Sequence, residues 1–170
     1  SPEALLEHKI QTRTATVGVV GLGYVGLPLL RAFFQAGFPV VGYDIDDEKI
    51  AMLKRGDSYL KHLGTDFVQE MAKSPKFLPT SNPSDLGKAD AIILCVPTPL
   101  GKHGEPDMSY IEKSTEMCAK VLRKGQLISL ESTTYPGTTR GDCMPILDKT
   151  GLKAGVDYFL AFSPEREDPG

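Results

Sequence analysis

The stretch Thr16-Val17-Gly18-Val19-Val20-Gly21-Leu22-Gly23-Tyr24-Val25-Gly26-Leu27-Pro28-Leu29 decides the fold. Its first part belongs to an apolar run, Ala15 to Val20, of the kind a strand buried on both faces requires. From about Tyr24 the pattern changes. Val25, Leu29, Phe33 and Phe34 recur at helical spacing, and Gly37 is a natural stop. Between strand and helix stand three glycines spaced as G-x-G-x-x-G. Alone that spacing is a weak signal. Placed after a buried strand and opening an apolar helix, it is the arrangement a dinucleotide pyrophosphate needs. Gly21 permits the tight turn, Gly23 admits a phosphate close to the backbone, and Gly26 lets the helix pack against the strand. The amides at the helix start, around Tyr24 and Val25, then face the phosphates with the helix dipole behind them. The plainer alternative is a glycine-rich turn with no ligand.

The rest of the chain repeats this alternation. Phe38–Tyr43 reads as a second strand ended by Asp44. Asp46 or Asp47 caps a helix carrying Ile50 and Leu53, stopped by Gly56. Residues 64–74 look weakly helical, and Phe77–Thr80 reads as a short third strand. Ala89–Val96 is the clearest later strand, and Pro97–Pro106 an irregular loop. Asp107 caps a helix with Ile111, Thr115, Cys118 and Leu122 on one face. Gln126–Leu130, a helix over Thr138–Lys149 and a strand over Tyr158–Phe162 follow. A short helix precedes everything, with Ser1 as cap and Pro2 at its first position. The expectation is an α/β fold: a doubly wound, mostly parallel Rossmann sheet of about six strands with helices on both faces.

Composition agrees. The chain has 170 residues, 41% hydrophobic and 24% charged, as expected of one folded domain. Nineteen basic against 22 acidic residues leave a net charge of −3. That argues against nonspecific nucleic-acid binding, which needs a basic face. No apolar run approaches the about 18 residues of a membrane span, and the acidic N-terminus does not read as a secretory signal, so the default expectation is cytoplasmic. Three scattered cysteines suit a reducing compartment, and no metal spacing is present.

In this fold ligands lie across the carboxyl ends of the strands. Asp44 ends the second strand about 20 residues beyond the glycines, where an acidic residue accepts hydrogen bonds from the adenosine ribose. A 2′-phosphate would be repelled by Asp44, Asp46 and Asp47, and no arginine stands nearby to receive it. NAD is therefore favoured over NADP. Pro97-Thr98-Pro99 and Glu131-Ser132-Thr133-Thr134-Tyr135-Pro136-Gly137 follow later strands. Their hydroxyls could bond the nicotinamide half, but Ser, Thr, Pro and Gly are also what loops are made of. Glu165 follows the last strand as a possible general base, or as half of a solvated pair with Arg166. No nucleophile emerges. Cys95 lies in an apolar strand and Cys118 on an apolar helix face. Cys143 reads as the more exposed thiol but has no histidine nearby. His103 reads as solvated in its loop.

These blocks together, with Val96-Pro97-Thr98-Pro99-Leu100, Glu105-Pro106-Asp107, Glu131–Thr139 and Phe162-Ser163-Pro164-Glu165-Arg166, resemble the UDP-glucose/GDP-mannose dehydrogenase family. The wording is most similar to its UDP-N-acetylglucosamine 6-dehydrogenases of bacterial polysaccharide synthesis. The resemblance covers essentially the whole chain. It implies oxidation of the C6 alcohol of a nucleotide sugar to a carboxylate with two NAD⁺, through a thiohemiacetal and a thioester on a cysteine. It also implies that Gly21 to Gly26 hold the pyrophosphate, Asp44 the adenosine ribose, and Lys49 the adenine side. Pro97, Thr98 and Thr133 then contact the nicotinamide half. Thr133 and Glu165 serve the thioester water, and Arg166 touches the sugar nucleotide.

The family's cysteine segment, its lysine and asparagine partners, central helix and sugar-nucleotide domain do not occur in these 170 residues. The expectation is residues 1–14 as a helix and link, 15–170 as a cofactor domain, and binding of NAD without turnover. A homo-oligomer is expected only of a full-length protein. Two alternatives are a β-hydroxyacid-type dehydrogenase domain and a stand-alone NAD-binding regulatory module.

Overall fold

A computed structural model describes residues 1–64, 66–132 and 138–164. Helix α1 (Pro2–Gln11) opens the chain. Then come β1 (Val17–Val20), α2 (Gly26–Gln35), β2 (Val40–Tyr43), α3 (Asp47–Arg55), the single turn α4 (Gln69–Ala72) and β3 (Phe77–Thr80). The second half runs β4 (Ala91–Leu94), α5 (Ser109–Lys120), β5 (Leu127–Ser132), α6 (Thr138–Asp148) and β6 (Phe159–Pro164). The six strands form one sheet in the order β3-β2-β1-β4-β5-β6. Every neighbouring pair is parallel. That is the doubly wound order, with its reversal between β1 and β4.

The sheet is sandwiched, as the uniformly apolar β1 and β4 require. One core packs Leu27 and Leu30 of α2 and Ile50 and Leu53 of α3 against Val17, Val19, Val40 and Ile93. The other packs Ile111 and Cys118 of α5 and Cys143 of α6 against Val20, Ile92, Leu94, Ile128 and Leu130. Alternate strand residues thus point to opposite layers. Pro79 is tolerated because β3 is an edge strand, pairing only with β2.

Local signals set most boundaries. The Asp46 carboxylate accepts from the amides of Glu48 and Lys49 at 3.0 and 3.4 Å, and Gly56 closes α3 in the left-handed region at φ 83°. Strand β4 is shorter than the expected Ala89–Val96, although the Asp90 and Cys95 amides still bond to the Thr16 and Val20 carbonyls at its two ends. Asp107 stands one residue before the N-cap of α5 and still accepts from the Ser109 amide at 2.9 Å. Leu122 falls beyond α5.

Cys143 corrects an expectation. It is wholly buried between α5 and α6, with Sγ 3.3 Å from the Thr115 hydroxyl. The helix expected over Thr138–Lys149 is present as α6, and the polar run Arg140-Gly141-Asp142 hides the inward face that Cys143 and Leu147 share four residues apart. Cys95 lies one residue past β4 and is half-buried.

At the amino end of the sheet Asp90 joins three distant pieces. It accepts from the Thr16 amide at 2.8 Å, from Arg123 at 3.0 Å and from Lys9 of α1 at 3.3 Å. Burial opposes its charge, but these donors outweigh burial and hold the carboxyl below the usual range. This cluster docks α1 away from the sheet's carboxyl end.

Candidate functional site

The carboxyl ends of β1, β2, β4 and β5 bring Gly21, Asp44, Cys95 and Glu131 to one side of the sheet. The loop between β1 and α2 stands at their centre. Gly21 has φ 92°, and an added Cβ would fall on the Cys95 carbonyl, so any side chain there is excluded twice. At Gly26 an added Cβ would land on the Gly21 carbonyl, which is why α2 can start so close to β1. Gly23 differs: an added Cβ would meet nothing within 4 Å. Two glycines shape the loop and the third faces open space.

The same loop carries unsatisfied donors. The N–H groups of Gly23, Tyr24 and Val25 find no acceptor among the described residues. Val25 is the N-cap of the ten-residue helix α2, and Gly23 and Tyr24 are the two residues before it. No acidic residue occupies the first turn of α2, so the positive end of its dipole is uncompensated. An anion placed before this loop would meet amides and no repelling carboxylate within the turn.

Asp44 closes one flank. Its Oδ2 accepts from the Leu22 amide at 2.9 Å and its Oδ1 from the Asp46 amide at 2.9 Å. The carboxylate therefore joins the end of β2 to the glycine loop. Lys49 lies in the first turn of α3, with its ammonium 5.3 Å from the centroid of the Tyr59 ring. Tyr24, Val25 and Ile45 stand around the loop at 75, 60 and 83% exposure, an apolar rim on a surface otherwise rich in charge. Pro97 is exposed and Thr98 half-buried in the segment that leaves β4. Thr133, Glu165 and Arg166 lie outside the described residues.

None of the three thiols is poised for chemistry. Burial, then the Glu131 carboxylate, pushes Cys95 up to about 12. Burial pushes Cys118 up to about 12, and Cys143 is raised chiefly for the same reason. A nucleophilic cysteine needs the opposite environment. His103 is exposed, as expected. Among the described residues no group of histidine, cysteine and carboxylate side chains could hold a metal. No helix of the described residues is long and apolar enough to cross a membrane.

One segment escaped the sequence reading. Residues 57–64, between α3 and α4, return to the glycine loop. The Tyr59 hydroxyl donates to the Leu22 carbonyl, and His62 stacks on Tyr24 with ring centroids 5.3 Å apart. Nothing local marks these contacts, because they join residues far apart in the chain.

A doubly wound sheet with a glycine loop open to an anion, and a carboxylate at the end of the second strand, defines a dinucleotide-binding domain. Residues 15–170 match the NAD binding domain of the UDP-glucose/GDP-mannose dehydrogenase family, and the chain belongs to that family. NAD is thus the indicated cofactor, and the β-hydroxyacid alternative is set aside. The chain is 44% identical over 156 residues to a UDP-N-acetyl-D-glucosamine 6-dehydrogenase of Pseudomonas aeruginosa, covering 91% of this chain and 36% of that protein. It superposes on the structure of a UDP-D-ManNAc dehydrogenase from Pyrococcus horikoshii with a TM-score of 0.82 and 37% identity, covering 91% of this chain and 37% of that one. A GDP-mannose dehydrogenase from Pseudomonas aeruginosa, solved as a ternary complex, gives a TM-score of 0.81 at 28% identity, over 88% and 36% of the two chains. The chain therefore spans little more than a third of the length of these relatives.

Proposed function

We propose that this chain is the NAD-holding part of an enzyme that oxidises the C6 alcohol of a UDP-sugar, UDP-N-acetylglucosamine by its wording, to the carboxylate. Residues 15–170 form the cofactor domain and 1–14 a helix and link. The observation that carries the reading is the glycine loop, with unpaired amides at Gly23, Tyr24 and Val25, open space at Gly23 and the Asp44 carboxylate beside it.

The residues fit the cofactor. Gly23, Tyr24 and Val25 offer their amides to the pyrophosphate, while Gly21 and Gly26 keep side chains out of the way. Asp44 accepts from the adenosine ribose, with Lys49 on the adenine side. Pro97, Thr98 and Thr133 take the nicotinamide half. Bound there, NAD⁺ supplies a hydride acceptor. Thr133 and Glu165 hold the water that hydrolyses the acyl intermediate, and Arg166 touches the sugar nucleotide. The nucleophile is none of Cys95, Cys118 or Cys143: Cys118 and Cys143 are buried, Cys95 is half-buried, and the pKa of each is raised. Turnover therefore needs a thiol supplied from outside these 170 residues. The whole enzyme acts in the cytoplasm as a homo-oligomer, in polysaccharide synthesis, with neither nucleic acid nor membrane as partner.

Calorimetric titration of the chain with NAD⁺ and with NADP⁺ tests the cofactor half. Saturable NAD⁺ binding, with NADP⁺ at least about tenfold weaker because of Asp44, Asp46 and Asp47, is expected. No NAD⁺ binding, or equal binding of both, overturns the reading. Adding a UDP-sugar and NAD⁺ to the same chain should form no NADH.

A further inference from the structure

We propose that Tyr59 is a positioning residue of the cofactor site, whose hydroxyl aims the Gly23 amide at the bound pyrophosphate. The proposal rests on the cofactor reading above and adds a residue from outside the glycine loop.

The geometry turns on Leu22. Its amide donates to Asp44 Oδ2 at 2.9 Å, and its carbonyl accepts from the Tyr59 hydroxyl. Its side chain is fully buried. Both peptide planes flanking Leu22 are therefore fastened, one to the end of β2 and one to the segment after α3. In a trans peptide the carbonyl and the following N–H point in opposite directions. Fixing the Leu22 carbonyl on Tyr59 thus fixes the Gly23 N–H on the side away from Tyr59. Gly23 needs this restraint most. It has no Cβ, its surroundings are open to 4 Å, and a glycine left alone samples a wide range of backbone angles.

Tyr59 is itself held. The Leu60 amide donates to the Ser58 hydroxyl at 3.1 Å, and Leu60 is buried in the α2–α3 core. The Lys49 ammonium sits over the Tyr59 ring. His62, three residues on, stacks against Tyr24. The segment therefore grips the loop on both sides of Gly23. Burial first, and then the Asp44 and Asp46 carboxylates, push the pKa of the phenol up. It stays a donor at neutral pH.

The test is Tyr59→Phe, which removes the oxygen and keeps the ring. NAD⁺, ADP and adenosine are titrated into both chains, and amide resonances and thermal midpoints are compared. The variant should fold and melt close to the wild type, with the Gly23 and Tyr24 amide resonances displaced. NAD⁺ and ADP should each bind about fivefold more weakly, as expected for one hydrogen bond, while adenosine, lacking the pyrophosphate, is unaffected. Equal NAD⁺ affinity in the two chains overturns the proposal alone. So does an equal loss for adenosine, or a variant that fails to fold, since either makes the contact merely structural. A wild-type chain that binds no NAD⁺ overturns the cofactor reading, and this proposal with it.

Discussion

The glycine loop makes a prediction that separates architecture from binding. Gly26 and Gly23 belong to one motif but face opposite demands. In Gly26→Ala the new Cβ would overlap the Gly21 carbonyl oxygen, lie 2.8 Å from its carbon and 3.4 Å from the Cys95 Cβ. That oxygen lies at about half the roughly 3 Å that non-bonded atoms need, so α2 must retreat from β1 by roughly 1.5 Å. The obstacle is backbone, which cannot swing away as a side-chain tip can. Overpacking of this kind costs about 1–3 kcal/mol. At about 2–4 °C per kcal/mol for a domain of this size, the thermal midpoint should fall by about 2–12 °C. In Gly23→Ala the Cβ meets nothing within 4 Å, so the midpoint should stay within about 2 °C. The methyl instead occupies the space assigned to the pyrophosphate, and NAD⁺ should bind about tenfold more weakly or worse. Thermal melts and NAD⁺ titrations of both variants check this. A Gly23→Ala chain that melts below Gly26→Ala, or that binds NAD⁺ like the wild type, would refute the reasoning.

Asp44→Ala removes a charged acceptor for the ribose. Calorimetry should show NAD⁺ weakened by about ten- to a hundredfold and NADP⁺ much less, so that discrimination narrows. Asp90→Asn should destabilise the chain near neutral pH, because an amide cannot accept from Thr16, Arg123 and Lys9 together. The native ionisation of Asp90 lies below its unfolded value of about 3.9, so its contribution is complete above that pH and is lost as the pH falls through the native value. Melts of the two chains should accordingly converge in acid, and a gap that persists at low pH would contradict the assignment. With Cys95 and Cys118 raised to about 12 and Cys143 raised as well, a thiol reagent at mildly alkaline pH should label the native chain at least about tenfold more slowly than the unfolded chain.

What was legible in the sequence was what neighbours in the chain decide. The β1–loop–α2 unit, the Asp46 cap, the Gly56 stop and the short β3 all rest on residues within a turn or two of one another. The doubly wound class follows from the alternation of apolar strands with helical crossovers. What escaped depends on meetings across the chain. Tyr59 reaches Leu22 over 37 positions, and Arg123 reaches Asp90 over 33. No periodicity encodes such contacts. Cys143 differs for another reason: its polar neighbours conceal the inward helical face that it shares with Leu147.

Asp44 and Tyr59 should not act independently, and this can be measured. A carboxylate offers about four acceptor positions. The Leu22 and Asp46 amides take two, which leaves about two for the two ribose hydroxyls. The same side chain thus recognises the adenosine and anchors the loop that holds the pyrophosphate. Tyr59 anchors that loop through the other peptide of Leu22. Once Asp44 is gone, Leu22 is free to turn at its amide, and fastening its carbonyl no longer fixes the Gly23 N–H as firmly. Tyr59→Phe should therefore cost less NAD⁺ affinity in the Asp44→Ala background than in the wild type. Contacting residues of a shared network couple by about 0.5–3 kcal/mol. Four titrations, of wild type, two single variants and the double variant, give the coupling directly. Strict additivity would mean that the two contacts do not meet at Leu22, and that the loop takes its shape from the glycines alone.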